Sequence, residues 1–259
     1  GIYVDGGEAN LSDMRFDGNL PAGAAYADLA VAGGGFALAE RVEKVAGATV
    51  ARDSELRLSG VPVLEQLFVD EGRVVVSDGP TTPTTVAVLT LAGGTVASNQ
   101  QPLVVVELLL SGRGDFENST VRIEGSGSLQ PGARVVSRTM EVDDSALLRC
   151  VVQEQEVAVS GTLRLSGQST LLLETSGSPK DTLVVDELIA NGTLRLDLPA
   201  DRDSGVPVIV WGQRSGDFQI VDALSSVSDQ RFDVSLTYTE HALYVTIDGV
   251  ALDGLAPGI

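Results

Sequence analysis

The chain has 259 residues, 43% apolar and 20% charged, with 36 acidic against 17 basic side chains and a formal charge of −19. That length allows one large domain or two ordinary ones, and the evenly spread Leu, Val and Ile exclude a disordered chain. Only two lysines, Lys44 and Lys180, are present, so a nucleic-acid partner, which needs clustered cations against phosphate, is excluded as well.

In chain order, the opening stretch carries the sequon Asn10-Leu11-Ser12. Gly33-Gly34-Gly35 lacks the Lys-Ser/Thr of a phosphate loop and reads as a tight turn. Ala37 to Ala46, with Glu40, Arg41, Glu43 and Lys44 and closed by Gly47, is the one helix candidate. Short β-branched and leucine runs then follow, separated by Gly, Ser, Asp and Asn: Leu67–Val69, Arg73–Val76, Val86–Leu91, Val104–Val106 and Leu108–Leu110. Such runs between turn formers read as strands.

Arg113-Gly114-Asp115 reads as a turn after Leu108–Ser111, similar to Arg214-Ser215-Gly216-Asp217-Phe218. It is also the tripeptide that integrins read in animal matrix proteins, which makes Arg113, Gly114 and Asp115 the candidate binding residues. Asn118-Ser119-Thr120 and Asn191-Gly192-Thr193 are two further sequons. Asn10, Asn118 and Asn191 are therefore glycan candidates in a secreted eukaryotic chain.

Asp143-Asp144 with Arg149, and Asp201-Arg202-Asp203, are the densest acid clusters a glycosidase or lyase could use. Neighbours in a strand point to opposite faces, so Asp143 and Asp144 make no site from within one. Cys150 is the only cysteine and sits in an apolar run, which suits a small buried hydrophobe; with one histidine, His241, a zinc site is excluded. No metal ligand set, cofactor fingerprint or catalytic residue is expected.

Gly-Thr-Leu-Arg-Leu occurs at Gly161–Leu165 and again at Gly192–Leu196, with a relative at Leu56-Arg57-Leu58. Strand alternation would turn both leucines inward and the arginine outward. From Trp211 onward aromatics become denser, and Phe232–Tyr238 faces Leu243–Ile247 across Thr239–Ala242 as an antiparallel hairpin.

Spacing selects among β architectures. The runs beginning at Leu67, Val88, Leu108, Val121, Met140 and Val157 lie mostly near 20 residues apart, as do Val74, Thr95, Asp115 and Ala133. One coil of a parallel β-helix has about that length. The expected fold is all-β: a right-handed parallel β-helix over 1–180, last coils and a capping hairpin over 181–251, and a tail or linker over 252–259. No apolar run reaches the roughly 18–20 residues of a membrane span, so a soluble chain is expected. Beginning at Gly1 with no visible signal peptide, it reads as a processed chain or an excised domain.

The coils "LTLAGGTVASNQQPLVVVELLLSGRGDFENSTVRIEGSGSL" resemble the right-handed parallel β-helix of bacterial autotransporter passengers and related large surface adhesins. "DTLVVDELIANGTLRLDL" through "SDQRFDVSLTYTEHALYVTI" looks like their final coils, and "ANLSDMRFDGN" is similar to the coils of polymorphic surface proteins. The resemblance implies a secreted or cell-surface stalk, adhesin or assembly subunit without one fixed activity. Its partners would be other surface or matrix proteins, a second copy, or carbohydrate. The alternatives are a β-helix polysaccharide lyase or glycoside hydrolase, needing clustered acids, and a carbohydrate- or receptor-binding module, needing exposed aromatics such as Trp211 or Tyr244.

Overall fold

The computed structural model describes residues 2–12, 29–40, 45–61, 63–77, 85–98, 102–117, 119–199, 203, 205–225 and 230–250. Among them there are 23 strands and no helix. In chain order these begin with β1 (Ile2–Asp5), β2 (Glu8–Ser12), β3 (Leu29–Ala32), β4 (Phe36–Glu40), β5 (Val45–Val50), β6 (Glu55–Ser59), β7 (Val63–Val69) and β8 (Arg73–Ser77). The middle holds β9 (Thr85–Leu91), β10 (Gly94–Ser98), β11 (Leu103–Leu110), β12 (Arg113–Asp115), β13 (Thr120–Leu129), β14 (Arg134–Val142), β15 (Leu147–Val151) and β16 (Val157–Leu165). The last seven are β17 (Thr170–Glu174), β18 (Leu183–Ile189), β19 (Thr193–Asp197), β20 (Pro207–Ser215), β21 (Ile220–Ser225), β22 (Gln230–Tyr238) and β23 (Ala242–Val250).

From β1 to β21 the strands pair in parallel with strands roughly one coil away, which makes this part of the chain a parallel β-solenoid with three faces. Face A stacks β2, β4, β6, β8, β10 and β12, then the first halves of β14, β16, β18 and β20. Face C stacks β1, β3, the ends of β5, β7, β9, β11 and β13, then β15, β17, β19 and β21. Its eleven described strands make a column of about 48 Å at the ~4.8 Å spacing of a sheet. Face B uses the first parts of β5, β7, β9, β11 and β13 and the second halves of β14, β16, β18 and β20. Up to β13 the continuous strands therefore bend round the B–C corner, and from β14 onward they bend round the A–B corner.

The core is a set of aliphatic rows stacked in register. On face C, Leu67, Leu89, Leu108, Gly127, Leu148, Leu171 and Leu194 succeed one another at intervals of 19 to 23 residues. A neighbouring row runs Leu110, Leu129, Cys150, Leu173 and Leu196, all fully buried. Cys150 thus stands where its neighbours carry leucine, as a small hydrophobe, and burial pushes its thiol pKa up. The three Leu-Arg-Leu motifs lie one on each face: Leu56 and Leu58 on A, Leu163 and Leu165 on B, Leu194 and Leu196 on C, every leucine buried and every arginine exposed.

The arginines join rung to rung. Arg73 lies between Glu55, at 3.1 Å, and Glu117, at 2.9 Å, and Glu55 also accepts from Arg57. Glu141 faces Arg122 and Arg164, and Glu174 accepts from Arg149.

The helix expected over Ala37–Ala46 is not formed: Phe36–Glu40 is β4, 41–44 lie outside the described residues, and Val45 opens β5. Ala37 and Ala39 are fully buried between exposed or half-exposed neighbours, a two-residue alternation that stacking on β2 and β6 imposes over the Ala/Glu helix preference. Gly47 is an interior residue of β5 rather than a cap.

The expected hairpin is present, with Tyr238 opposite Leu243 and Thr237 opposite Tyr244. It closes the C-terminal rung, because β23 pairs antiparallel with β20 and β22 pairs antiparallel with β21. Trp211 seals the junction: it is buried, and its Nε1–H donates to the Glu240 carbonyl at 3.0 Å. Arg214 lies over Trp211 and Tyr238 at 5.4 and 4.4 Å from the ring centroids. The expected tail over 252–259 lies outside the described residues.

Candidate functional site

The connections at the C–A corner grow longer toward the C-terminal half. Two of them, Val152–Glu156 and Thr175–Thr182, follow β15 and β17 and sit side by side as successive rungs. Asp181, fully buried, ties them together: its carboxylate accepts the Glu154 amide at 2.7 Å, the Ser178 amide at 3.1 Å, and both the amide and hydroxyl of Ser176. No sequence feature marked Asp181, because one aspartate among many acids reveals its burial only once the rungs are stacked.

Beside this staple lies a hollow of about 700 Å³ on face A. Its floor is Val184 and Val210, in register below Arg134 and Ala158. Its walls are Arg134 and Glu156, paired at 3.5 Å, with the exposed Lys180 and half-buried Thr182. Apolar floor and polar wall suit a flat, hydroxyl-rich ligand better than a wholly apolar one.

A smaller hollow of about 350 Å³ lies at the A–B corner around Gly161, Thr162, Asp186 and Glu187. Its carboxylates are used by the chain itself: Asp186 accepts the Gly161 amide at 2.9 Å and Glu187 the Thr162 hydroxyl at 2.6 Å.

Arg113, Gly114 and Asp115 form β12, held between β10 and β14, and not the expected turn. Gly114 faces inward, where a Cβ would stand 2.4 Å from Leu110 Cδ1 and 3.0 Å from Leu91 Cδ1, so the segment lies flat on the core. Arg113 and Asp115 flank it outward and contact each other at 3.5 Å, and Asp115 also accepts the Glu117 amide at 2.9 Å. Both charges are thereby partly engaged within the rung. In the Arg214 relative, Arg214 and Ser215 end β20 and the chain bends at Gly216.

Among the sequons, Asn10 and Asn191 are exposed, and Asn118 lies outside the described residues. Asp143 and Asp144 share a turn in which Asp143 accepts the Asp144 amide, while Arg149 is paired with Glu174. Asp203 accepts the Gly205 amide; Asp201 and Arg202 lie outside the described residues. The aromatics expected to be exposed in a binding module are placed otherwise: Trp211 is buried and Tyr244 half-buried.

Among the described residues, no group of three or more His, Cys, Asp or Glu is placed to hold a metal, and no helix is long and apolar enough to cross a membrane. No protein-family model, curated protein sequence or solved structure matches the chain.

Proposed function

We propose that this protein is a non-enzymatic structural module of a secreted or cell-surface assembly, acting as a stalk, an adhesin or a subunit. The observation that carries this reading is the uninterrupted stack of buried aliphatic rows from β1 to β21, closed at one end by a hairpin. Such a stack makes a stiff rod whose stability accrues rung by rung and whose side chains are spent on holding neighbours. The resemblance to autotransporter passengers and surface adhesins points the same way and supplies the extracellular location. A strongly acidic exterior keeps such a rod soluble and away from nucleic acid and anionic membranes. Exposed Asn10 and Asn191 are the glycan positions if the chain is made in a glycosylating secretory pathway.

The test is incubation with a panel of acidic and neutral polysaccharides, scored for retention and cleavage together. No cleavage is expected. Cleavage abolished by substituting Asp143 or Asp144 would replace this reading with an enzyme.

The face A hollow favours a second reading, a carbohydrate-binding module. Retention on one polysaccharide, lost on Lys180→Ala or Val184→Asp at unchanged stability, would establish it; no retention would leave the rod alone.

A further inference from the structure

Face C turns a nearly uncharged surface outward over the middle of the rod. Its central outward column runs Ala30, Thr49, Phe68, Thr90, Leu109 and Ser128 from β3 to β13, in register. None of the six is charged, in a chain where 20% of residues are. Phe68 and Leu109 are 40% and 42% exposed and stand two rungs apart, about 10 Å, with Thr90 between them. On β7, β9 and β11 the flanking outward positions are Gln66, Val88 and Glu107 on one side and Asp70, Ala92 and Ser111 on the other, so only two acids border the column. The strands that bend round the B–C corner here, and the C–A turns at 70–72, 92–93 and 111–112, are all described residues and leave these side chains uncovered. From β15 onward the same column becomes charged, with Arg149, Arg195 and Asp222.

Charge and self-complementarity identify what fits. A cationic partner would be drawn to the acids elsewhere on the rod, and an anionic one finds no base along this column. A flat, neutral surface of apolar and hydroxyl side chains fits, and a second copy supplies one without setting acid against acid despite a charge of −19 on each chain. When two rods meet through face C, turned end for end about a two-fold axis at β9, Phe68 of each copy faces Leu109 of the other and Thr90 faces Thr90. The same operation sets Glu107 against Gln66 and Asp70 against Ser111, so each acid meets a neutral side chain that can donate a hydrogen bond. It also sets Arg149 against Ala30, whereas rods pointing the same way would set Arg149 against Arg149 and Arg195 against Arg195. Six strands, with about five residues of each on this face, span roughly 29 by 16 Å. Over both copies that is about 900 Å², the lower end of what a specific but reversible pair needs.

We propose that the rod pairs laterally with a second copy of itself, face C against face C between β3 and β13, in antiparallel orientation. This deepens the structural-module reading, resting on it only for the premise that the rod assembles. Polysaccharide cleavage would defeat that reading without touching face C, and failure of the pairing would leave the rod as a module that joins something else.

The test is sedimentation equilibrium of the whole chain between about 1 and 100 μM, at low and high salt. The mass should rise from that of one chain toward that of two, and more readily at high salt, which screens the residual repulsion between acidic copies. The Phe68→Asp/Leu109→Asp double variant should raise the dimer dissociation constant at least tenfold with its melting temperature unchanged. Val63→Asp, the same exchange at an exposed position of β7 on face B, should leave it within about twofold. Orientation is read by a short bismaleimide, to which buried Cys150 is inert. Thr90→Cys should link to a second copy of itself and Ser128→Cys should not, because the axis passes only the former. A monomer at every concentration, a dimer lost at high salt, equal weakening by Val63→Asp, or linkage through Ser128→Cys would each overturn the proposal.

Discussion

Asp181 is the residue on which the C–A corner depends most, since three backbone amides and one hydroxyl converge on it out of contact with water. Removing a buried acceptor strands its donors, so Asp181→Ala should lower unfolding free energy by about 3 kcal/mol in a urea titration. Cys150 should stay unlabelled by a thiol reagent in native buffer and react stoichiometrically in denaturant, because its thiolate is disfavoured by full burial. Glu55 titrates under two opposing influences. Burial alone would raise its pKa, but the hydrogen bonds and charges of Arg57 and Arg73 outweigh that and hold it below the ordinary glutamate value. A lowered native pKa means the stabilisation is complete above the unfolded value, about 4.3, and disappears as pH falls through the native one. Wild type should therefore exceed Glu55→Gln by about 0.5–1 kcal/mol at pH 7, with the gap closing on acidification below about pH 4 in parallel thermal melts.

At the level of the element, strands were legible wherever leucine and valine alternate with polar residues, and the three Leu-Arg-Leu motifs announced their inward and outward sides correctly. The period near 20 was legible too, though the series from Leu67 to Val157 was not one column. Leu67 and Leu108 lie on face C, Val121 and Met140 on face B, and Val157 on face A. The short step from Leu108 to Val121 marks passage from one face to the next, which local pattern alone does not encode. β4 was misread because alanine and glutamate favour helices in isolation, while neighbouring rungs decide otherwise. β12 was misread as a turn because Arg-Gly-Asp carries turn formers, yet the space above Leu91 and Leu110 needs a residue without a side chain. The face A hollow and Asp181 were invisible because they join residues from different rungs. The A–B corner has an equally strict requirement at Gly161, where φ is +111° and a Cβ would stand 2.0 Å from the Ser137 carbonyl oxygen. Gly161→Ala should destabilise by at least about 2 kcal/mol, read as a lowered melting temperature, whereas the same change at exposed Gly167, where a Cβ would come no closer than 3.7 Å to Gln219 Nε2, should cost far less.

For the whole molecule, stability is a sum over stacked rungs and the hairpin is the terminal stop. Deleting residues 230–250 would bare the outer edges of β20 and β21 and uncover Trp211. The shortened rod should associate end to end in light scattering, while the intact chain does not grow through that end; a monomeric truncated rod would show that the hairpin is dispensable for closure. The same stacking also sets how the molecule answers a mechanical load. Hydrogen bonds between rungs point along the axis, so tension applied lengthwise bears on one rung at a time instead of shearing many together. Each rung released would pay out its 19 to 23 residues, about 65 to 80 Å of thread, before the next is strained. With its last described rung fastened by antiparallel strands, the rod behaves as an extensible tether that shortens again as its coils rewind.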